Sequence, residues 1–322
     1  MQYIVLDLEW NQVSNMSFEN PRLPFEIIEI GAIKLDEQFN IIDEYSHYVK
    51  PRLYKRLHYK IRDMLNYDET TLKKARPFDI VCREFIKWCG DDYTFCTWGP
   101  LDLTNLQQNM DYYYLKKLPY PLKFYNIQEM FSCAHQDYPK TCKLEKAVSL
   151  LNITIDKPFH SAINDARYTA FVLQKLDMRN FKDMYAIDYY NHPHCLEEEI
   201  ISYHHSYIEY IFREFDSKAK ALEDKEISLL RCYKCKRKIS KKIKWFVSNP
   251  TTSLCAGKCW THGYVCGKLR FKTTSDGKVF VIKTVESIDK REFENIKNRQ
   301  EELRLKRKQK RNNKSPVKSE EY

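Results

Sequence analysis

Glycine is scarce here, with seven in 322 residues. Loops that cradle phosphates are built from glycine, and neither GxGxxG nor GxxxxGK[ST] occurs. That argues against dinucleotide-binding dehydrogenases and P-loop enzymes. Long apolar runs are missing too. None approaches the ~20 residues of a membrane span, so no membrane partner is expected. The amino terminus, MQYIVLDLEW, has no basic segment and no small-residue cleavage site, and does not read as a signal peptide. A cytoplasmic protein is therefore expected. Eleven cysteines in such a setting point to metal ligands and buried thiols before disulfides.

The chain is 43% hydrophobic, enough for a sizeable core, and its length fits about two domains. Formal net charge is +10. An excess of cations favours a polyanionic partner without proving one.

The first stretch mixes sheet and helix signals. YIVLDLEW, EIIEIGAIKLD (26–36) and IIDEYSHYVKP (41–51) read as consecutive strands with short connections, an antiparallel meander. Helical periodicity follows at 78–90, a short strand at 93–99, and further helices at 103–115, 143–153 and 161–176. In the last of these, Ala162, Ala166 and Ala170 form a small-residue ridge suited to close packing. Strands first and strand–helix alternation afterwards predict an α/β domain with a mixed sheet over 1–180. A helical connector is expected over 181–225, a Cys-rich module over 226–286 and a basic helical tail over 287–322. That tail reads equally as a solvated charge run or as an arm for phosphate backbone.

The acids carry the chemistry. Asp7 and Glu9 stand two apart inside the apolar YIVLDLEW, so on a strand they share one face. Like charges there call for something cationic. Asp102, in CTWGPLDLTNL, falls between a strand and a helix. His160 and Asp165 lie in HSAINDARYTA. Asp102 alone would read as a helix cap, and His160 alone as structural. Four carboxylates near element ends can instead converge on one cleft and hold hard divalent cations. Two such ions about 4 Å apart suit phosphodiester cleavage.

LDLEW, WGPLD and HSAINDA, in this order and spacing, resemble the three motifs of the DnaQ-like, DEDDh-type 3′–5′ exonucleases, over roughly 1–180. The WGxxD and HxxxxD patterns are most similar to the branch holding ERI-type RNA exonucleases and KapD-like proteins. The resemblance implies an RNase H-like fold, a mixed five-stranded sheet flanked by helices. It implies that Asp7, Glu9, Asp102 and Asp165 hold two Mg²⁺ or Mn²⁺ ions and that His160 is the general base. An unperturbed histidine titrates near pH ~6.5, which suits that task. The substrate would be a single-stranded 3′ end, RNA before DNA, and the product a nucleoside 5′-monophosphate. Many relatives place small or hydroxylated residues after the Glu. Here Trp10 and Asn11 follow, as candidates for contact with the terminal nucleotide.

A second constellation is CYKC (232–235) with CAGKCWTHGYVC (255–266). Cys232 and Cys235 have knuckle spacing, and a matching pair is needed some twenty residues later. One structural Zn²⁺ is expected on Cys232, Cys235 and Cys259, the fourth place going to His262, or to Cys255 or Cys266. A small basic segment of this kind is too poor in apolar residues to fold readily without metal. Nearby Trp245 and Phe246, among lysines, suggest single-stranded nucleic-acid binding or simply a solvated face. His192, His194, His204 and His205 close no four-ligand pattern. Against the exonuclease stand two other readings, a zinc-containing nucleic-acid-binding adaptor and a polymerase proofreading subunit.

Overall fold

The computed structural model describes residues 1–65, 69–135, 142–204, 206–274 and 276–312. Two compact units emerge, 1–191 and 192–322. His205 and the tail beyond 312 lie outside the described residues.

The first unit is a seven-stranded mixed sheet. Its strands are β1 (Gln2–Gln12), β2 (Phe25–Leu35), β3 (Ile41–Lys50), β4 (Arg76–Pro77), β5 (Tyr93–Thr97), β6 (Leu122–Asn126) and β7 (Ala186–Asp188), in spatial order β4-β3-β2-β1-β5-β6-β7. β1, β2 and β3 form the expected antiparallel meander, and β5 pairs parallel with β1. Five strands were expected. The two added ones, β4 and β7, are edge pieces of two and three residues, too short to show a pattern in sequence. Tyr3 and Val5 of β1 pack under helix Ala162–Lys175. Ile4, Leu6 and Leu8 point to helices Phe78–Cys89 and Leu101–Tyr112. β1 is thus buried on both faces, and carboxylates on it stand where water is scarce.

The second unit is a six-stranded antiparallel sheet. It contains β8 (Ile200–Tyr203), β9 (Tyr207–Phe215), β10 (Lys241–Asn249), β11 (Thr252–Cys259), β12 (Gly263–Thr273) and β13 (Val279–Ile288), ordered β10-β11-β12-β13-β9-β8. The helical connector expected over 181–225 does not form: 200–203 and 207–215 are strands, and only Lys218–Glu223 of the 200–225 stretch is an α-helix of more than one turn. Tyr, Ile and Phe dominate that segment, and β9 satisfies them by pairing with β13 on one side and β8 on the other. Tertiary pairing outweighs a weak helical periodicity. Trp245 and Phe246 are not displayed for stacking. Trp245 packs inward and donates its indole N–H to the Ser228 carbonyl at 2.8 Å. Phe246 meets Ile243, Ala256 and Phe293.

The basic tail does form a helix, Lys290–Asn312. Phe293 and Ile296 seat its start on Tyr264 and Ile288. Gln300 and Arg307 donate to the carbonyls of Lys244 and Val247 on β10, so the helix covers an exposed sheet edge. Among the described residues no helix is long and apolar enough to cross a membrane.

Candidate active site

Asp7 faces Gly31 across β1–β2, and Glu9 faces Glu29. Strand alternation puts both acids on the side covered by helix Ala162–Lys175. That helix comes in at contact distance because Gly31 has no side chain: a Cβ there would lie 2.1 Å from the Ala162 carbonyl carbon and the Ile163 nitrogen. Asp165, in the helix's first turn, is thereby brought onto the strand. Carboxylate oxygens of Asp7, Glu9 and Asp165 lie within 4.8 Å of one another.

Asp102 arrives from the opposite side. β5 ends at Thr97, level with Leu6 of β1, so the next outward β1 amide has no strand partner there. The N–H of Leu8 donates instead to Asp102 Oδ1 at 3.2 Å. The turn that delivers Asp102 contains Gly99 at φ 105, where a Cβ would be strained.

His160 occupies the left-handed region, φ 66, at a cost of about 1–3 kcal/mol for a non-glycine residue. Its N–H donates to Asp165 Oδ2 at 3.2 Å, and Asn164 Nδ2 donates to the Pro158 carbonyl at 2.9 Å. The four-residue spacing of the HxxxxD motif is therefore local geometry, in which the acid holds the loop that presents the histidine. The His160 ring is half exposed, with Nε2 3.9 Å from Glu145 Oε1.

Sequence reasoning missed Glu29. It is 1% exposed. Its carboxylate accepts from Ser161 Oγ at 3.2 Å and from the amides of Ala162 and Ile163, so it caps the helix that carries Asp165. The signal was an acid inside the β-branched run EIIEIG. Asn11, expected near the terminal nucleotide, is fully buried. Its Nδ2 donates to the carbonyls of Tyr54 and Arg56, and its Oδ1 accepts from the His58 amide; it organises the 54–58 loop. Trp10 is half buried against Phe25.

The electrostatics are lopsided. Among the described residues no Lys or Arg pairs with Asp7, Glu9, Asp102 or Asp165. Burial, then the neighbouring acids, pushes Asp7 well up and Glu9 to about 8. Burial carries Asp102 to about 7 and Asp165 to about 6, against amide hydrogen bonds that pull them down. Burial also lifts Glu29 to about 7. Among the described residues Asp165 Oδ1 and Glu29 Oε2 are buried with no hydrogen-bond partner. An all-oxygen, convergent and uncompensated donor set fits hard divalent cations.

In the second unit Cys232, Cys235, Cys259 and His262 converge within 4.8 Å. Cys232 Sγ lies 3.4 Å from His262 Nδ1, and Cys235 Sγ 3.7 Å from Cys259 Sγ. Burial opposes ionisation of Cys259, yet the amides of Thr261 and His262 bring its thiol down to about 6. Cys255 and Cys266 lie outside this group, in β11 and β12, where burial raises both thiols to about 12. A Cys₃His set with one low thiol fits zinc. Elsewhere His192 and His194 meet Glu214 at 2.8 and 3.1 Å, its other oxygen held by Lys278. His204 stacks on Tyr207.

Carboxylates gathered on the central strand of such a sheet define the class of nucleases with RNase H-like architecture. The chain belongs to the RNase T exonuclease family, whose model matches residues 4–173, more than half of the chain. It is a family of exonucleases, and Asp7, Glu9, Asp102, His160 and Asp165 all fall within the matched stretch. Among solved structures, the nuclease domain of 3′hExo, a DEDDh family member bound to rAMP, is 21% identical, with a TM-score of 0.50 over 58% of this chain and 96% of that one. A 3′-exonuclease recognising the histone mRNA stem-loop is 20% identical, TM-score 0.48, over 54% of this chain and 62% of that one. E. coli Exonuclease I with a dT13 oligonucleotide is 13% identical, TM-score 0.46, over 57% and 43%. This chain thus spans less than two thirds of the length of the last two. No curated protein matches it.

Proposed function

We propose that the protein is a divalent-metal-dependent exonuclease that trims single-stranded 3′ ends, RNA before DNA, and releases nucleoside 5′-monophosphates. One observation supports this most: three carboxylates within 4.8 Å of each other with, among the described residues, no Lys or Arg paired to them. Asp7, Glu9, Asp102 and Asp165 would hold two Mg²⁺ or Mn²⁺ ions. When bound, such ions neutralise charge on the phosphate and make water easier to ionise.

The chain's own residues do the rest. His160, on its exposed loop, takes the proton from the attacking water. Asp165 fixes the backbone of that loop, so base and ligand move together. Glu29 holds the helix N-terminus in register with β1. Trp10 offers a partly exposed ring face to the terminal base. Cys232, Cys235, Cys259 and His262 would hold one structural Zn²⁺ that closes the second unit around its two turns.

The test is a time course on 5′-labelled RNA and DNA, single and double stranded, with Mg²⁺, with Mn²⁺ and with chelator, comparing the parent with Asp7→Ala. Stepwise shortening from the 3′ end that needs metal and Asp7 is expected. Metal-independent turnover, or full activity in Asp7→Ala, would overturn the assignment.

A further inference from the structure

The hairpin between β11 and β12 ends in Trp260, which is 102% exposed. A tryptophan can bury 150–250 Å² of surface, and this one buries none. It directly follows Cys259 and precedes His262. Those two side chains touch Cys235 and Cys232 of the neighbouring turn, so the two turns are joined at one centre. The partner turn is strongly basic. Residues 231–238, RCYKCKRK, hold five cations and no acid, and 255–264, CAGKCWTHGY, adds Lys258 and again no acid. Arg231 pairs with Glu226. Lys234, Lys236, Arg237, Lys238 and Lys258 have no carboxylate partner among the described residues. Lys236 instead lies 4.5 Å over the ring of Tyr203, itself half exposed.

We propose that the Cys/His unit carries a second nucleic-acid site, distinct from the carboxylate cleft, which binds single-stranded RNA or DNA by stacking a base on Trp260 and seating phosphates on the cations of the 234–238 turn. A protein partner would also value an exposed tryptophan. Uncompensated positive charge around it selects a polyanion instead. Stacking on a protruding ring needs an unpaired base, which excludes duplex. β12 and β13 hold the hairpin rigid behind the ring, so little order is lost on binding. Trp245 and Phe246, which draw attention in the sequence, are spent on the core; Trp260 is the ring left for a ligand.

The test is fluorescence anisotropy of a 5′-labelled 20-mer against the full chain without added Mg²⁺ or Mn²⁺, with RNA, DNA and duplex arms. Trp260→Ala should weaken single-strand binding about 5- to 150-fold, the range that one stacked base is worth, and Trp260→Phe should keep most of it. The triple variant Lys234→Ala, Lys236→Ala, Lys238→Ala should lower the slope of log affinity against log salt by about 2. Zinc content and melting temperature should stay close to the parent's, because all four side chains are exposed. Turnover of the p-nitrophenyl ester of thymidine 5′-monophosphate, measured separately with Mn²⁺ in excess, should not change. If the parent fails to turn over that ester, the cleft reading is wrong. If Trp260→Ala binds single strands within twofold of the parent, or if duplex binds as tightly and with the same dependence on Trp260, the second site is wrong.

Discussion

Replacing Gly31 with alanine tests how the cleft is assembled. The new Cβ would sit 2.1 Å from backbone atoms of Ala162 and Ile163 and 2.5 Å from the Ala162 carbonyl oxygen, where ordinary contact starts at 3.4 Å. Backbone cannot rotate away as a side chain can, so helix Ala162–Lys175 must retreat from β2 by more than an ångström. Asp165 travels with that helix, and its separation from Asp7 and Glu9 grows by a similar amount. A misplacement of about 1 Å at a reacting centre costs on the order of 10²-fold in rate. Overpacking of this kind costs about 1–3 kcal/mol, or roughly 2–12 °C of melting temperature. Steady-state turnover of a labelled single strand, with Mn²⁺ in excess, would be read beside a thermal melt. Gly257→Ala is the control. It forces a Cβ to 2.6 Å from the Ile239 side chain and 2.7 Å from the Ser240 carbonyl in the second unit, and should lower stability without touching turnover of a short substrate. If Gly31→Ala is as active as the parent within threefold while it stays folded, the close approach of helix to strand does not set the cleft.

Three further outcomes are expected. His160→Ala should lose about 10²–10⁴ in kcat and keep metal-dependent binding of oligonucleotide; lost binding with unchanged kcat would refute its place as base. Acids whose folded pKa is raised penalise the ionised fold, and here the penalty is absent below about pH 4 and grows as pH rises through about 6, 7 and 8, where Asp165, Asp102 and Glu9 ionise. Metal-free protein should therefore melt lower as pH rises from about 5 to about 8.5, and Mn²⁺ should restore more at the alkaline end; a metal effect independent of pH would refute it. Cys259→Ser should take zinc from one per chain to none by elemental analysis and abolish the second unit's urea transition while the first unit's survives; retained zinc would remove Cys259 from the ligand set.

Much of the cleft is legible in sequence because its parts are local. Two acids two apart share a strand face wherever that strand lies. HxxxxD spans one helix turn and the loop before it, so its hydrogen bond is written in the spacing. CxxC likewise states its own turn. Composition adds that glycine-built phosphate loops are not in play.

Other features join residues far apart, and only packing decides them. Glu29 lies opposite Glu9 through the register of β1 and β2, which no local pattern fixes. Gly31 matters because of a helix 131 residues later that happens to cross it. Asn11 reads as a surface contact until the 54–58 loop is seen wrapped on it. His262 joins the thiols because the turn after β11 brings it beside Cys259; Cys255 shares the face of Cys259 but lies four residues back along β11, roughly 13 Å away, and Cys266, paired with Ala256, stands on the other face of the sheet. The segment after Asn191 reads as helix from its own periodicity and is strand because β13 waits beside it. Sequence states which groups sit near one another along the chain. Folding states which faces are dry, and a carboxylate on a dry face is what turns an ordinary acid into a candidate cation ligand.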